Sequence, residues 1–283
     1  MKIPPIIQAL ELLKIYQAEN VVLVDASNSK NAKENFNEKH LDNALFVDLN
    51  TDLANIKNDP AQGGRHPLPT IKDFYKTLSN LGISPSSYVV IYDEKNGSNA
   101  AARFWWMLKS IGHKKAQVLD GGFQAAINAG IPTTSQIKTP VKSSNSYEIK
   151  NWNLPLANMS EVENVSQDKN YLVIDVRDNK RYNGETEPID LVAGHIPGAI
   201  NIPFETNLDE NGLYLSPDEL RNKYLKAFNN IKPGNIIVHC GSGVTACHTL
   251  LAIAYADLDI PKLYVGSWSE WSRNNKKIAT ITL

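Results

Sequence analysis

The sequence predicts an α/β fold in two similar halves, each a mainly parallel sheet flanked by helices. Three observations predict it. Short apolar runs that end in a polar residue alternate with stretches whose apolar residues recur at helical spacing, the pattern of βαβ units. Four such segments recur in the same order about 150 residues further on, which argues for an internal duplication. A chain of 283 residues also suits two domains of roughly 100 to 200 residues each.

The elements follow in order. Val21–Asp25 (VVLVD) reads as a buried parallel strand and is matched by Tyr171–Asp175 (YLVID); both apolar runs end in Asp. HLDNALFVDL, from His40, is matched by HIPGAINIPF, from His195, and both histidines are expected to be structural. ISPSSYVVIYD (Ile83–Asp93) is matched by IKPGNIIVHC (Ile231–Cys240). The stretch after the first of these, SNAAARFWWMLKSIG, has helical spacing, with Trp105 and Trp106 in the core. VLDGGFQAA, from Val118, is matched by YVGSWSEWS, from Tyr264. Between the halves, TTSQIKTPVKSSNSYEIK (Thr133–Lys150) has the polar composition of a linker. The expected domains are residues 1–140 and 151–283.

Composition excludes several function classes. Hydrophobic residues make up 42%, charged residues 21%, and the formal net charge is -1. No basic block stands out, so no nucleic-acid partner is expected. No apolar run reaches the roughly 18 residues of a membrane span, so no membrane partner is expected either. The start, MKIPPIIQALELLK, has two early prolines and Glu11 and lacks the core of a cleavable signal. The two cysteines, seven positions apart, make no disulfide framework. The expected location is the cytoplasm, with both thiols reduced.

One of those cysteines sits in IIVHCGSGVTACHTLL, Ile236–Leu251. Cys240 follows a buried strand, and strand C-termini in parallel sheets are where ligand sites gather. Gly241, Ser242, Gly243, Val244 and Thr245 form a loop of small residues, and a helix begins at about Thr245. Backbone N–H groups of such a loop can point inward, and the first turn of a helix adds unpaired donors and a positive dipole end. That cradle favours a thiolate, the reactive form of cysteine. A low-charge loop does not suit phosphoryl transfer. Ala246 stands six residues after Cys240, where an arginine would hold phosphoryl oxygens, and the loop has neither Arg nor Lys. Sulfur transfer fits better: the thiolate attacks a sulfur and becomes a persulfide.

With CGSGVTAC, GHIPGAINIP, RYNG and GSWSEW, the sequence resembles the tandem-domain rhodanese superfamily over essentially its whole length, and its 3-mercaptopyruvate-using branch in particular. The resemblance implies two tandem rhodanese-like domains and a two-step reaction. Cys240 takes sulfane sulfur from a small donor and hands it to a thiol, small or on a thioredoxin-like protein, or to cyanide. No cofactor and no metal is expected; His239 and His248 show no metal-ligand spacing with Cys240 and Cys247. Thiosulfate-using relatives carry basic residues just after the cysteine. Here Gly241 and Ser242 are neutral, which favours mercaptopyruvate over thiosulfate as donor. A further alternative is a carrier or scaffold protein that docks a partner enzyme.

The resemblance also names residues outside the loop. Arg181, in RYNG, matches the arginine that binds the donor carboxylate. The following segment, ETEPIDLVAG, has no second arginine, and Arg65, in GGRHPLP, is a candidate to supply that charge. His66 matches a histidine that packs over the site; its acid partner in related relays falls at Asn50, with Asp48 and Asp52 nearby. Cys247 is expected in the core, and Trp268 and Trp271 either in the core or walling the site. In the first half, Asp93 takes the place of Cys240 in the loop DEKNGSNAA, so that half is expected to be catalytically silent, a wall and lid. Its loop N–H groups are not expected to converge on one point.

Overall fold

The computed structural model of the protein describes residues 3–98, 100–140, 147 and 150–281. By contact the chain falls into two units. One comprises Met1–Ala54, Pro69–Asn153 and Glu210–Tyr214; the other comprises Asn55–Leu68, Leu154–Asp209 and Leu215–Leu283. Two short segments are therefore exchanged relative to chain order, and one of them, Asn55–Leu68, carries Arg65 and His66.

In the first unit, five parallel strands lie in the order Ile6–Ile7, Ala116–Leu119, Tyr88–Tyr92, Val21–Asp25, Leu45–Phe46. The centre of the sheet is apolar on both faces because helices cover both, which is why its strands read as unbroken runs rather than alternating ones. Leu23, Val90 and Leu119 of these strands pack with Leu12, Phe36 and Ala126 of the flanking helices. In the helix Ala100–Ser110, Trp105 and Trp106 are buried. Asn99, within the expected helical stretch, lies outside the described residues.

The second unit repeats the order: Leu156–Ala157, Lys262–Tyr264, Ile236–His239, Leu172–Asp175, Ile200–Asn201, again all parallel. The four matched sequence segments supply equivalent strands of the two sheets. In its core, Val162, Val173, Ile237, Tyr264, Trp268 and Trp271 pack together. The helix Pro217–Phe228 is set by Pro217 in its first turn and by a capping box in which Ser216 and Glu219 satisfy each other's backbone N–H groups. Among the described residues, no helix is long and apolar enough to cross a membrane.

The linker begins later than the composition suggests. Thr133–Thr134 pair antiparallel with His40–Leu41, and Trp152 packs on Phe74 and Trp106. Polar composition hides this, because a two-residue strand needs backbone pairing rather than apolar side chains. Residues 141–146, 148 and 149 of the expected linker lie outside the described residues.

Candidate active site

The strand Ile236–His239 is buried throughout and delivers Cys240 to the C-terminal edge of the second sheet. Cys240 is 3% exposed. Its backbone is held on both sides: its N–H donates to Ser267 Oγ at 3.2 Å and its carbonyl accepts from Trp268 N at 3.0 Å. Ser267 adopts φ +55 and in turn donates to Tyr264 O at 2.8 Å, so a left-handed residue anchors the cysteine to the last strand. The loop turns at Gly243, φ +73, where a β-carbon would stand 2.5 Å from Val265 O. Only glycine fits that turn. Beyond it runs the buried helix Ala246–Tyr255, and Thr245 at its start makes no side-chain cap. Cys247 is fully buried on this helix, its Sγ 3.4 Å from Gly243 O.

The segment Asn55–Leu68 is pinned to the helix Ser267–Trp271 by backbone donors: Gly63 N to Glu270 Oε1 at 2.9 Å and Arg65 N to Ser269 Oγ at 3.0 Å. Asn274 Nδ2 adds a bond to Ala61 O at 2.9 Å. Gly64, φ +82, lies so close that an added β-carbon would stand 2.4 Å from Gly266 O. This approach brings His66 Nδ1 to 2.8 Å from Ser242 Oγ. In the first unit, the Asp48 carboxylate is occupied by its own turn, accepting from the N–H groups of Asn50 and Thr51 at 2.7 and 2.9 Å. Asp52 likewise accepts from Asp48 N at 2.9 Å.

Arg181 lies on the short helix Asn179–Asn183, started by the Asp178 carboxylate on Arg181 N and ended at left-handed Gly184. Its guanidinium meets Glu187 through Nε at 3.1 and 3.0 Å and through Nη2 at 2.9 Å, and Asp190 at 3.4 Å. Asp190 is fully buried at its side chain and also accepts from Arg65 Nη1 and, at 2.9 Å, from Arg273 Nη1. Both Arg65 and Arg181 then face the loop. A β-carbon on Gly241 would stand 3.2 Å from Arg65 Nη2 and 3.3 Å from Arg181 Nη2. The loop after the cysteine, neutral in sequence, is thus flanked by two guanidiniums from elsewhere in the unit.

Beneath the loop lies a buried ionic group. Arg177 binds Asp175 through Nε at 3.0 and 3.1 Å and Nη2 at 2.6 Å, reaches Glu187 at 3.2 Å and lies 4.4 Å above the Trp268 ring. Burial alone would raise the Asp175 carboxyl, but His239 alongside, with the charge and hydrogen bonds of Arg177, holds it below the usual carboxylate range. Burial pushes His239, 3.8 Å away, below the usual imidazole range. Trp268 packs in the core and also donates from Nε1 to Val192 O at 2.9 Å, fixing the acidic segment that carries Glu187 and Asp190.

The equivalent strand end in the first unit holds Asp93, fully buried. Its carboxylate accepts from Lys95 N at 2.9 Å, Gly97 N at 2.8 Å and Ala101 N at 3.2 Å. The N–H groups of this loop therefore do converge, against the expectation from its length, because the side chain they meet is itself an anion. The two histidines at matched positions are packed alike: His40 stacks on Phe36 at 3.9 Å and His195 on Tyr182 at 3.8 Å.

The nine candidate catalytic and substrate-binding residues (Cys240, Gly241, Ser242, Gly243, Val244, Thr245, Arg65, His66 and Arg181) all fall in the second unit, whereas the relay positions Asp48, Asn50 and Asp52 fall in the first. Sequence reasoning does not reach Glu187, Asp190, Arg177, Arg273 and Ser267. The one signal for the acids is the segment ETEPIDLVAG itself, which carries carboxylates where a second arginine is sought.

A model of the rhodanese-like domain matches residues 8–129 and again 158–274. A probable 3-mercaptopyruvate sulfurtransferase of Pseudomonas aeruginosa is 36% identical over 238 residues, covering 83% of this chain and 82% of the relative. A thiosulfate sulfurtransferase of Rattus norvegicus is 34% identical over 255 residues, covering 87% and 81%. Among solved structures, a 3-mercaptopyruvate sulfurtransferase from Leishmania major superposes with a TM-score of 0.82 at 26% identity, covering 95% of this chain and 74% of that one. Two matches to one family model, on two sheets of the same strand order, settle the affiliation: the chain belongs to the rhodanese family, with two rhodanese-like domains, and to the sulfurtransferase class of enzymes.

Proposed function

We propose that the protein transfers sulfane sulfur from 3-mercaptopyruvate to a thiol or cyanide through a persulfide on Cys240. The observation that carries this reading is the site's layout: a buried cysteine at a strand end, followed by a small-residue loop flanked by Arg65 and Arg181 at Gly241. In the first step the Cys240 thiolate attacks the donor's sulfur. The S–S bond forms as the donor's C–S bond breaks; the electron pair leaves as the enolate of pyruvate, and the former thiol proton ends on carbon. In the second step an acceptor thiolate or cyanide attacks the outer sulfur and restores the Cys240 thiolate. The guanidiniums bind the donor's carboxylate, which is best held by planar, bidentate donors. The loop N–H groups stabilise the anionic persulfide. His66 orients the Ser242 hydroxyl toward the reacting sulfur.

The first domain ends its equivalent strand in Asp93, whose carboxylate fills the loop that would hold sulfur; it is read as catalytically silent. The acceptor is a small thiol or a thioredoxin-like protein, in a reducing cytoplasm. Thiosulfate is the second reading, favoured by the two guanidiniums at Gly241, which a dianion could use. Steady-state turnover with both donors and mass measurement of the donor-treated protein test the scheme. One added sulfur atom is expected, lost in Cys240→Ser and kept in Cys247→Ser, with higher kcat/KM for mercaptopyruvate. An adduct that survives in Cys240→Ser overturns the assignment.

A further inference from the structure

We infer that Asp190 sets the charge of donor that this site accepts, acting as a positioning residue for Arg65 and Arg181. The inference rests on reading the arginine pair as the donor's anion site. The Asp190 side chain has no solvent exposure and is shared by three guanidiniums: Arg65, Arg181 and Arg273. Arg65 splits its two ends between Asp190, through Nη1, and the space beside Gly241, through Nη2. Arg181 turns both Nη2 and Nη1 to that space, 3.3 and 3.6 Å from the same β-carbon position, and the same Nη2 pairs with Glu187 and Asp190. Among the described residues, Asp190 is thus the one carboxylate paired with both arginines that face the loop.

Its second effect is on charge. Arg65, Arg177, Arg181 and Arg273 form ion pairs with Asp175, Glu187 and Asp190, four positive groups against three negative ones. These ion pairs leave one positive charge over, and it faces the Cys240 thiolate of the proposed reaction as well as the donor. A donor with a single carboxylate asks less of it than a dianion, whose second negative charge this partly desolvated cluster leaves uncompensated. Without the Asp190 charge the same two guanidiniums would match a dianion. The discrimination is therefore made here by a carboxylate some fifty residues before the cysteine in sequence.

The test uses the intact chain with cyanide as acceptor and reads the ratio of kcat/KM for thiosulfate to that for mercaptopyruvate. Asp190→Asn, nearly isosteric, is expected to raise this ratio about tenfold. Asp190→Glu, which keeps the charge, should hold the ratio within about twofold even if both rates fall. Arg273→Gln removes a positive group from Asp190 Oδ1, the oxygen that Arg65 also meets, and should move the ratio the other way. Equilibrium binding of pyruvate and of sulfate, both unreactive, gives a readout that needs no turnover, and sulfate should gain over pyruvate in Asp190→Asn. Equal losses for both donors in Asp190→Asn, or an unchanged ratio in Arg273→Gln should Asp190→Asn not fold, would show a merely structural role and overturn the inference. Failure of the parent protein to bind either anion overturns it as well. If the binding preference shifts while the parent protein turns over neither donor, the sulfur-transfer reading fails and the role of Asp190 stands.

Discussion

Arg181 is an arginine whose removal has two costs. In the proposed reaction the donor loses a charge-assisted partner, commonly about 1.5 to 3 kcal/mol. Glu187 and Asp190, which it neutralises, are left facing the anion site with one positive group fewer. Arg181→Ala is therefore expected to lower kcat/KM for mercaptopyruvate by at least tenfold and nearer a hundredfold; an unchanged value in a folded variant would remove Arg181 from the site. The same geometry revises what a basic loop would do. An arginine at Gly241 would begin 3.2 and 3.3 Å from two guanidinium nitrogens, so it should displace them and lower turnover of both donors instead of converting the enzyme to thiosulfate. In the first unit, Asp25 gives a pH dependence of known sign. Burial lifts its carboxyl from the ordinary 3.8 to about 6, and the nearby Asp93 adds to the rise against hydrogen bonds from Ser27. A raised carboxyl pKa means the folded chain binds the extra proton, so the contribution is present below about pH 4 and lost as pH rises through about 6, at most about 3 kcal/mol. Asp25→Asn should therefore raise the urea midpoint of this unit more at pH 7.5 than at pH 4. Equal effects at the two values would show that Asp25 is not the group responsible.

At the scale of elements, the segment Asn55–Leu68 decides whether the loop residues meet their partners. Gly64→Ala forces a β-carbon against a backbone carbonyl at 2.4 Å and a side chain into φ +82, a conformation costing on the order of 1 to 3 kcal/mol. The segment must lift from the helix Ser267–Trp271, taking Arg65 and His66 with it. A loss of roughly tenfold in kcat/KM is expected with circular dichroism unchanged. Gly130→Ala is the control: its φ of +91 brings the same backbone strain but its β-carbon meets nothing within 4 Å, so it should cost stability alone. Much of this architecture is legible in the sequence. The buried parallel strands announce themselves as apolar runs closed by Asp or His-Cys, and Gly-Ser-Gly after Cys240 announces the turn. The acids that hold the arginines are not legible. Asp190 and Arg65 lie far apart in sequence, and pairing between distant polar residues leaves no periodic trace. The convergence of N–H groups on Asp93 escapes the sequence for a related reason: loop length suggests divergence, whereas a buried carboxylate gathers backbone donors by its own charge.

At the scale of the whole molecule, the two sheets share one strand order but the two halves are not interchangeable. Contact assigns Asn55–Leu68 to the unit that carries Cys240, although this segment lies in the first half of the sequence and within the first family match. The second half of the chain is therefore an incomplete unit. Residues 151–283 retain the strand, the loop, Arg181, Glu187 and Asp190, but lose Arg65 and the partner of Ser242, and with them the bonds to Ser269 and Glu270 that close this side of the loop. The four guanidiniums become three against three carboxylates, so the positive charge that would attract an anionic donor is gone. Expressed alone and shown by circular dichroism to be folded, this half is expected to keep Cys240 reactive toward a neutral alkylating reagent while kcat/KM for mercaptopyruvate falls by a hundredfold or more. The contrast between the two readouts matters: a neutral reagent reports the cysteine, and the anionic donor reports the cluster. Donor turnover equal to that of the full chain would mean that Arg65 and His66 contribute nothing, and that the first half of the chain is not needed to complete the site.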